Sequence, residues 1–288
     1  MPSEMRQKTA NGSDRIQDLF SLTGRVAILT GGAGMLGRQY LDILLSAGAK
    51  VVVADVRGEA AEQAAQHSLE TVGVEAIGIQ VDVSNKNDVE QMVANVLEKY
   101  GRIDILINNA AIDPKFDSDV ANEQAYTFED YPLELWQRSL DVDLTGAFLC
   151  AQAVGRVMVR QGRGVIVNVC STYGLVGPDQ RLYKRDAEVE QTLFKPASYA
   201  VTKAGVAQLT RYLAAYWGNS NIRVNTLTPG GVQNAQDEEF LRKYSARTPM
   251  GRMAEEDEMR GALLFLVSDA SSYMTGANLV VDGGWTAW

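Results

Sequence analysis

The sequence predicts an α/β fold built on one doubly wound, Rossmann-like parallel sheet of about seven strands, with helices on both faces. Three observations support this prediction. Short apolar segments rich in Val and Ile recur along the chain, longer segments with helical periodicity separate them, and a glycine-rich turn follows the first apolar segment. Strands that alternate with helices form parallel sheets whose faces the helices cover.

Each predicted strand is a short apolar run bounded by turn residues. In chain order these runs are 25–30, 50–56, 74–83, 102–108, 164–170, 221–228 and the terminal segment 277–284. Apolar residues with the spacing of a helix face predict helices between the strands, for example over 87–100 and 203–217.

The alternation of strands and helices is not interrupted by a linker or an internal repeat. Residues 21–288 are therefore predicted to form one catalytic domain after a flexible N-terminal arm over residues 1–20. Two polar stretches with interspersed aromatic residues, 112–132 and 177–196, are predicted to be loop insertions. Both follow predicted strands, and open α/β sheets place their ligand crevice at that edge.

The composition excludes several classes of function. A net charge of −9 argues against a nucleic-acid partner. No continuous apolar run approaches the length of a membrane span and the N-terminus is polar, so we expect a cytoplasmic protein with no membrane partner. The single histidine, His67, excludes a multi-histidine metal site, and we expect no metal. Cys150 and Cys170 lie in apolar segments and are predicted to be buried free thiols.

The first predicted strand runs directly into a glycine-rich turn over 30–37 and then into a helical pattern. Glycines at such a turn let the backbone approach a pyrophosphate, which also contacts the amide groups of the helix N-terminus. Asp55 ends the second strand, where a carboxylate accepts hydrogen bonds from ribose hydroxyls and repels a 2′-phosphate. The sequence therefore predicts NAD rather than NADP as the cofactor, although Arg57 lies close enough to complicate this preference.

Tyr199 and Lys203 are four residues apart at the start of a helical pattern, which places them on one face of the helix. A free tyrosine, with a pKa of about 10, is a poor base at neutral pH, but a nearby ammonium group favours the phenolate. Ser171 ends the fifth strand, at the edge where the crevice is expected. Its hydroxyl can hold a substrate oxygen while a proton moves to or from Tyr199.

Eight features occur in a fixed order along the chain, and together they are highly specific for one protein family. They are TGGAGMLG (30–37), Asp55, VDVS (81–84), NNAA (108–111), NVCS (168–171), YAVTK (199–203), NTLTPGGV (225–232) and TGANLVVDGG (275–284). From 22 to 284 the chain resembles the single-domain type of the short-chain dehydrogenase/reductase family. The resemblance implies NAD(P)-dependent hydride transfer at an alcohol or carbonyl. Tyr199 would be the general acid/base, Lys203 would lower its pKa and bind the nicotinamide ribose, and Ser171 would orient the substrate.

The resemblance also implies which residues line the cofactor site. They are Gly31, Gly34, Met35, Leu36, Gly37, Asp55, Val56, Asp82, Val83, Asn109, Ala110, Ala111, Tyr199, Lys203, Pro229, Gly230, Val232 and Asn234. Family members are commonly homotetramers, and the long predicted helices at 132–162 and 197–218 are similar to the family's interface helices. A homotetramer or a homodimer is therefore expected.

The chain departs from the family pattern in four places. Ala111 stands where the family's NNAG motif has its glycine. Gly34 stands one position before the middle glycine usual for this type, where Met35 is found instead. Asp143 occupies the place of the family's fourth catalytic residue, an asparagine whose backbone carbonyl holds a water in a proton relay. Asp143 either preserves that role or disturbs the relay by its charge. Asn234 replaces an expected threonine, although its amide can still reach a carboxamide.

The spacer between Ser171 and Tyr199 is longer than usual, so the 177–196 insertion is predicted to rim the active site. Tyr173, Arg181 and Tyr183 are the predicted substrate residues. Further cations and an aromatic residue of this region are Lys115, Tyr126, Lys184, Arg185, Arg242, Arg247 and Arg252. Such residues suit a hydroxylated or anionic small molecule, such as a sugar or a sugar acid. The alternative is a solvated, charged surface.

Two other functions remain open at this point. Asp143 gives some weight to a catalytically silent NAD-binding sensor or scaffold. The position of Gly34 suggests an epimerase or dehydratase that uses NAD internally. The complete set of Ser171, Tyr199 and Lys203 favours a dehydrogenase/reductase, because a scaffold has no need of it.

Overall fold

The computed structural model describes residues 16–113 and 126–288. Seven strands form one parallel sheet in the order β3-β2-β1-β4-β5-β6-β7. The strands are β1 (Val26–Thr30), β2 (Lys50–Asp55), β3 (Ile77–Gln80), β4 (Ile105–Asn108), β5 (Gly164–Val169), β6 (Ile222–Pro229) and β7 (Asn278–Val281). The predicted fold class is confirmed, and six of the seven strands fall within their predicted segments, while β6 extends one residue beyond its segment, to Pro229.

Helices follow the strands and cover both faces of the sheet. They are α1 (Ile16–Phe20), α2 (Met35–Ser46), α3 (Gly58–Val72), α4 (Lys86–Tyr100), α5 (Leu133–Ser139), α6 (Gly146–Gln161), α7 (Ala197–Trp217), α8 (Glu238–Arg247) and α9 (Arg260–Val267). A π-helical turn, Leu140–Thr145, joins α5 to α6 without a break.

Parts of two predicted segments lie outside the described residues. This is true of residues 1–15 of the predicted arm and of residues 114–125, which include Lys115, in the first insertion. The remaining arm residues form the short helix α1, none of whose residues is buried.

Two apolar layers enclose the sheet. Leu29 of β1 packs into the layer formed with α2, α3 and α9. Its neighbour Ile28 packs into the opposite layer, formed with α4, α6 and α7. Because helices cover both faces, successive strand residues are buried instead of alternating between core and solvent. Cys150 and Cys170 are buried and unbridged, as predicted.

One helical stretch of the described chain, Leu133–Gln161, is long and apolar enough by length and composition to cross a membrane. The sequence has no long continuous apolar run here, because polar residues are interspersed along the stretch, and the sequence alone therefore did not indicate it. Cys150, Ala151, Val154 and Met158 of this stretch pack against the sheet. This is the packing of a core helix.

A chain of buried hydrogen bonds fixes α7 against the sheet. Asn108 Nδ2 donates to Asn168 Oδ1 at 2.8 Å, and Asn168 Nδ2 donates to Thr210 Oγ1 at 2.8 Å. Thr226 Oγ1 completes the chain by donating to Thr210 Oγ1 at 2.8 Å. The chain therefore links β4, β5 and β6 to α7, the helix that carries Tyr199 and Lys203.

We expect Asn168→Ala to lower the free energy of unfolding by about 2–4 kcal/mol, because it removes two hydrogen bonds and leaves buried partners unsatisfied. Urea denaturation measures this change. The control is Asn95→Ala on α4, where the exposed Asn95 accepts from Gln91 and a change within about 0.5 kcal/mol is expected. Equal effects of the two substitutions would show that the buried chain does not hold α7.

Candidate active site

The carboxyl ends of the strands border a cleft of about 1630 Å³. The order of the sheet reverses between β1 and β4, and open α/β sheets bind ligands at such a switch point. Every residue predicted to contact the cofactor lines this cleft, as do Ser171, Tyr173 and Tyr183. The volume exceeds that of an ordinary small-molecule pocket and is sufficient for a dinucleotide together with a substrate.

The glycine-rich turn between β1 and α2 requires its glycines. Gly31 has a φ of 61°, and a Cβ there would lie 2.7 Å from the Cα of Ala110. A Cβ on Gly37 would lie 2.3 Å from the carbonyl oxygen of Gly31. Helix α2 begins at Met35 without a capping side chain, so the amide groups of its first turn are left for a ligand in the cleft. This turn fits a pyrophosphate.

Asp55 lies at the end of β2, beside the glycine-rich turn. One carboxylate oxygen accepts from the Ala33 amide at 3.2 Å, and the other accepts from the Arg57 amide at 3.1 Å. The Arg57 guanidinium lies 3.5 Å from the same carboxylate, with its side chain largely exposed. Asp55 is therefore held in one position in the cleft at the end of β2, and the Arg57 guanidinium lies against it.

Ser171, Tyr199 and Lys203 are brought together at the other end of the cleft. Ser171 follows β5, while Tyr199 and Lys203 lie one turn apart at the start of α7. The hydroxyl group of Ser171 lies close enough to that of Tyr199 to lower its pKa. Lys203 Nζ donates to the Val169 carbonyl at 3.2 Å and lies 5.7 Å from the centre of the Tyr199 ring.

Burial raises the pKa of Tyr199 well above its usual value, and the carboxylates of Asp113 and Asp143 raise it further. The Ser171 hydroxyl acts in the opposite direction. The phenol is therefore neutral in the free protein at neutral pH. In that form it can donate a proton, and positive charge near the ring is needed before it can accept one.

Asp143 lies in the π-helical turn and is buried outside the main cleft. Its two oxygens accept from the Ile112 amide at 2.8 Å and from Thr202 Oγ1 at 3.1 Å. Burial raises the pKa of Asp143, while Lys203 and these hydrogen bonds lower it. A small cavity of about 10 Å³, at the lower limit for one water molecule, borders Asp143 and Lys203. Asp143 thus joins the end of β4 to α7.

The 177–196 insertion forms the substrate end of the cleft together with α8. The hydroxyls of Tyr183 and Tyr173 are hydrogen bonded at 3.1 Å, and burial raises the pKa of both. Tyr183 packs against Phe240 of α8, and Tyr244 stacks on Trp285 with 4.2 Å between ring centres. The substrate end therefore has an aromatic wall that carries phenolic hydroxyls.

The structure does not bring Arg181 to this wall. The Arg181 side chain is 83% exposed and paired with Asp179, outside the cleft lining. Its neighbours in the predicted cation set are also engaged elsewhere. Arg247 pairs with Asp179, Arg242 with Asp186, Arg252 with Glu258, and Lys184 donates to the Val189 carbonyl. Most of these charges are therefore used to fasten the insertion and the segment around α8.

The sequence interpretation missed a charged pair inside the cleft. Lys195 Nζ lies 2.7 Å from Asp113 Oδ1 and 3.9 Å from the centre of the Tyr199 ring. Lys195 stands immediately before Pro196, the residue that precedes α7, and this position was the available signal. Asp113 is 82 residues away in the chain, so spacing alone could not pair the two.

We expect Asp143→Asn to move the acidic limb of kcat/KM for alcohol oxidation to lower pH. In the general-base role that the sequence predicts for Tyr199, oxidation needs the phenol deprotonated, so activity would be lost as the pH falls through the pKa of Tyr199. The Asp143 carboxylate raises that pKa, and its removal therefore lowers it. Asp141→Asn, at a carboxylate that accepts from Gln137, is the control and should leave the profile in place. A shift of the Asp143 variant towards higher pH would contradict the assigned electrostatics.

Two sequence profiles match most of the chain. The profile described as short chain dehydrogenase matches residues 25–183. The profile described as Enoyl-(Acyl carrier protein) reductase matches residues 187–286.

Characterised relatives match over nearly their whole length. An NAD-dependent glycerol dehydrogenase of Listeria innocua is 32% identical over 93% of this chain and 96% of its own. An NADP-dependent mannitol dehydrogenase of Hypocrea jecorina is 36% identical over 95% of this chain and 97% of its own. A gluconate 5-dehydrogenase from Burkholderia cenocepacia, solved with NADP and tartrate, superposes with a TM-score of 0.80 at 31% identity. That match covers 95% of this chain and 100% of the other.

Proposed function

Because the chain belongs to the short-chain dehydrogenase/reductase family, we propose that it is an NAD(H)-dependent oxidoreductase that interconverts a secondary alcohol and a ketone. The substrate is a polar, hydroxylated molecule such as a sugar or a sugar acid. The observation that carries the proposal is that Ser171, Tyr199 and Lys203 meet in one cleft, with Lys203 beside the Tyr199 ring. Residues 21–288 act as one catalytic unit in this proposal.

Different residues bind the cofactor, bind the substrate and transfer the proton. The first turn of α2 binds the pyrophosphate, Asp55 binds the adenosine ribose, and Lys203 binds the second ribose. When bound, the nicotinamide cofactor supplies the hydride acceptor or donor. Ser171 holds the substrate oxygen by a hydrogen bond, and Tyr199 takes a proton from that oxygen in oxidation or returns it in reduction.

Lys203 adjusts the acidity of Tyr199. Its ammonium group favours the phenolate, which burial and two carboxylates disfavour. The complete set of Ser171, Tyr199 and Lys203 in the cleft counts against a catalytically silent sensor or scaffold. An epimerase or dehydratase would regenerate its cofactor within each cycle, so net formation of NADH separates that alternative from the proposal.

Exposed apolar side chains on α6 and α7 support a homotetramer or a homodimer. Phe148, Val201, Tyr212 and Tyr216 are 46%, 46%, 62% and 67% exposed. Apolar side chains at this density on two adjacent helices favour association between copies. We also propose a cytoplasmic location for the protein, on the basis of the family.

The first test is a screen of polyols, sugars and sugar acids that follows NADH or NADPH absorbance. In Tyr199→Phe, we expect kcat to fall by about 10²–10⁴-fold because the group that transfers the proton is lost. Nucleotide affinity should stay unchanged. Tyr212→Phe, at an exposed tyrosine on the same helix, is the matched control. Full turnover by the Tyr199 variant would refute the proposed mechanism.

We expect the wild-type enzyme to prefer NAD over NADP, because the Asp55 carboxylate repels a 2′-phosphate. Asp55→Asn should shift the ratio of kcat/KM values towards NADP by about tenfold or more. Arg57→Gln tests the competing contribution and should lower activity with NADP only. A wild-type preference for NADP that Arg57→Gln abolishes would reverse the assignment.

A further inference from the structure

We propose that Lys195 and Asp113 form a subsite for a hydroxyl group next to the reacting carbon, and that this charge-balanced pair selects a neutral polyol or sugar over a sugar acid. The inference rests on the proposed function and narrows its substrate class.

The insertion holds Lys195 in place. The Lys195 side chain is only 4% exposed, while that of Asp113 is 23% exposed. Gln180 clamps the backbone of Lys195, since its Oε1 accepts from the Lys195 amide at 2.9 Å and its Nε2 donates to the Lys195 carbonyl at 3.0 Å. An ion pair removed from water is costly unless its geometry is fixed and its hydrogen bonds are satisfied. This arrangement is a built site rather than a mobile surface lysine.

The ammonium group of Lys195 has hydrogen-bonding capacity to spare. An ammonium group carries three donors. Within residues 16–113 and 126–288, Asp113 is the hydrogen-bond acceptor found for Lys195 Nζ, and the Tyr199 ring covers another side of the group. Since Lys195 lines the cleft, its remaining donor capacity is available to a ligand oxygen there.

The position of Lys195 relates this oxygen to the reaction. Ser171 and Tyr199 mark where the reacting oxygen binds, and Lys195 Nζ lies 3.9 Å from the centre of the Tyr199 ring. Because Lys195 and Asp113 line the same cleft as Ser171 and Tyr199, we place a substituent of the carbon next to the reacting one against this pair.

The charge of the pair decides which substituent fits. A hydroxyl group can accept from the Lys195 ammonium and donate to the Asp113 carboxylate, so it satisfies both partners. A substrate carboxylate can only accept, so it would leave the Asp113 carboxylate facing a like charge. The pair therefore favours a neutral hydroxyl at this position.

The test compares mannitol and xylitol with gluconate as substrates of the full-length enzyme with NAD. In Lys195→Met, we expect kcat/KM for the neutral polyols to fall by about 10- to 100-fold, mainly through KM, because a charged hydrogen bond is lost. In Asp113→Asn, the ammonium loses its compensating charge. The ratio of kcat/KM for gluconate to that for mannitol should then rise by about tenfold or more.

Lys184→Met is the matched control, because Lys184 lies in the same insertion but outside the cleft lining. We expect it to change neither ratio, and NADH affinity should be equal in all variants. The inference is overturned if the wild type prefers gluconate, or if both cleft variants lower activity on neutral and acidic substrates in the same proportion. Absence of wild-type oxidation of every alcohol in the wider screen, with NAD and with NADP, would instead overturn the proposed function itself.

Discussion

The site depends on how rigidly α7 is held against β5. Tyr199 and Lys203 occupy successive turns of that helix, whereas Ser171 follows the strand, so any rotation of α7 would separate them. Buried hydrogen bonds at three positions along α7 prevent such a rotation. Thr210 is bound to Asn168, Lys203 Nζ donates to the Val169 carbonyl, and Thr202 donates to Asp143. Each bond lies where water does not compete, and breaking one leaves a buried polar group unsatisfied.

The same burial sets the chemistry of Tyr199. Packing that orients the phenol also removes it from water and raises its pKa, and two carboxylates add to this effect. Two ammonium groups face the ring, with Lys203 at 5.7 Å and Lys195 at 3.9 Å from its centre. The proton affinity of Tyr199 is therefore a balance between opposing charges on four residues. The family's usual asparagine at position 143 would remove one negative charge from that balance.

The fold and the lining of the cleft at the strand ends were predictable because their determinants are local. Strands buried on both faces are continuous apolar runs, and the residues predicted to bind the nucleotide lie at the ends of those strands, as Asp55 does at the end of β2. The substrate end was less predictable because its charges are balanced by residues that are distant in sequence. Residue type marked Arg247 as a free cation, but its pairing with Asp179 arises only in the folded chain. The pairing of Lys195 with Asp113, across 82 residues, was hidden for the same reason.

This difference explains where substrate specificity can change. The insertion is fastened to α8 by the contacts of Asp179 with Arg247 and of Asp186 with Arg242. The substrate wall is therefore one unit built from two segments, whereas the nucleotide end relies on the glycine-rich turn and the strand ends. A substitution in the insertion that breaks one of these contacts leaves a charge on α8 without its partner. A change of specificity that breaks one of these ion pairs therefore requires a second change in α8, while the Ser171, Tyr199 and Lys203 site, held separately by the sheet, can stay the same.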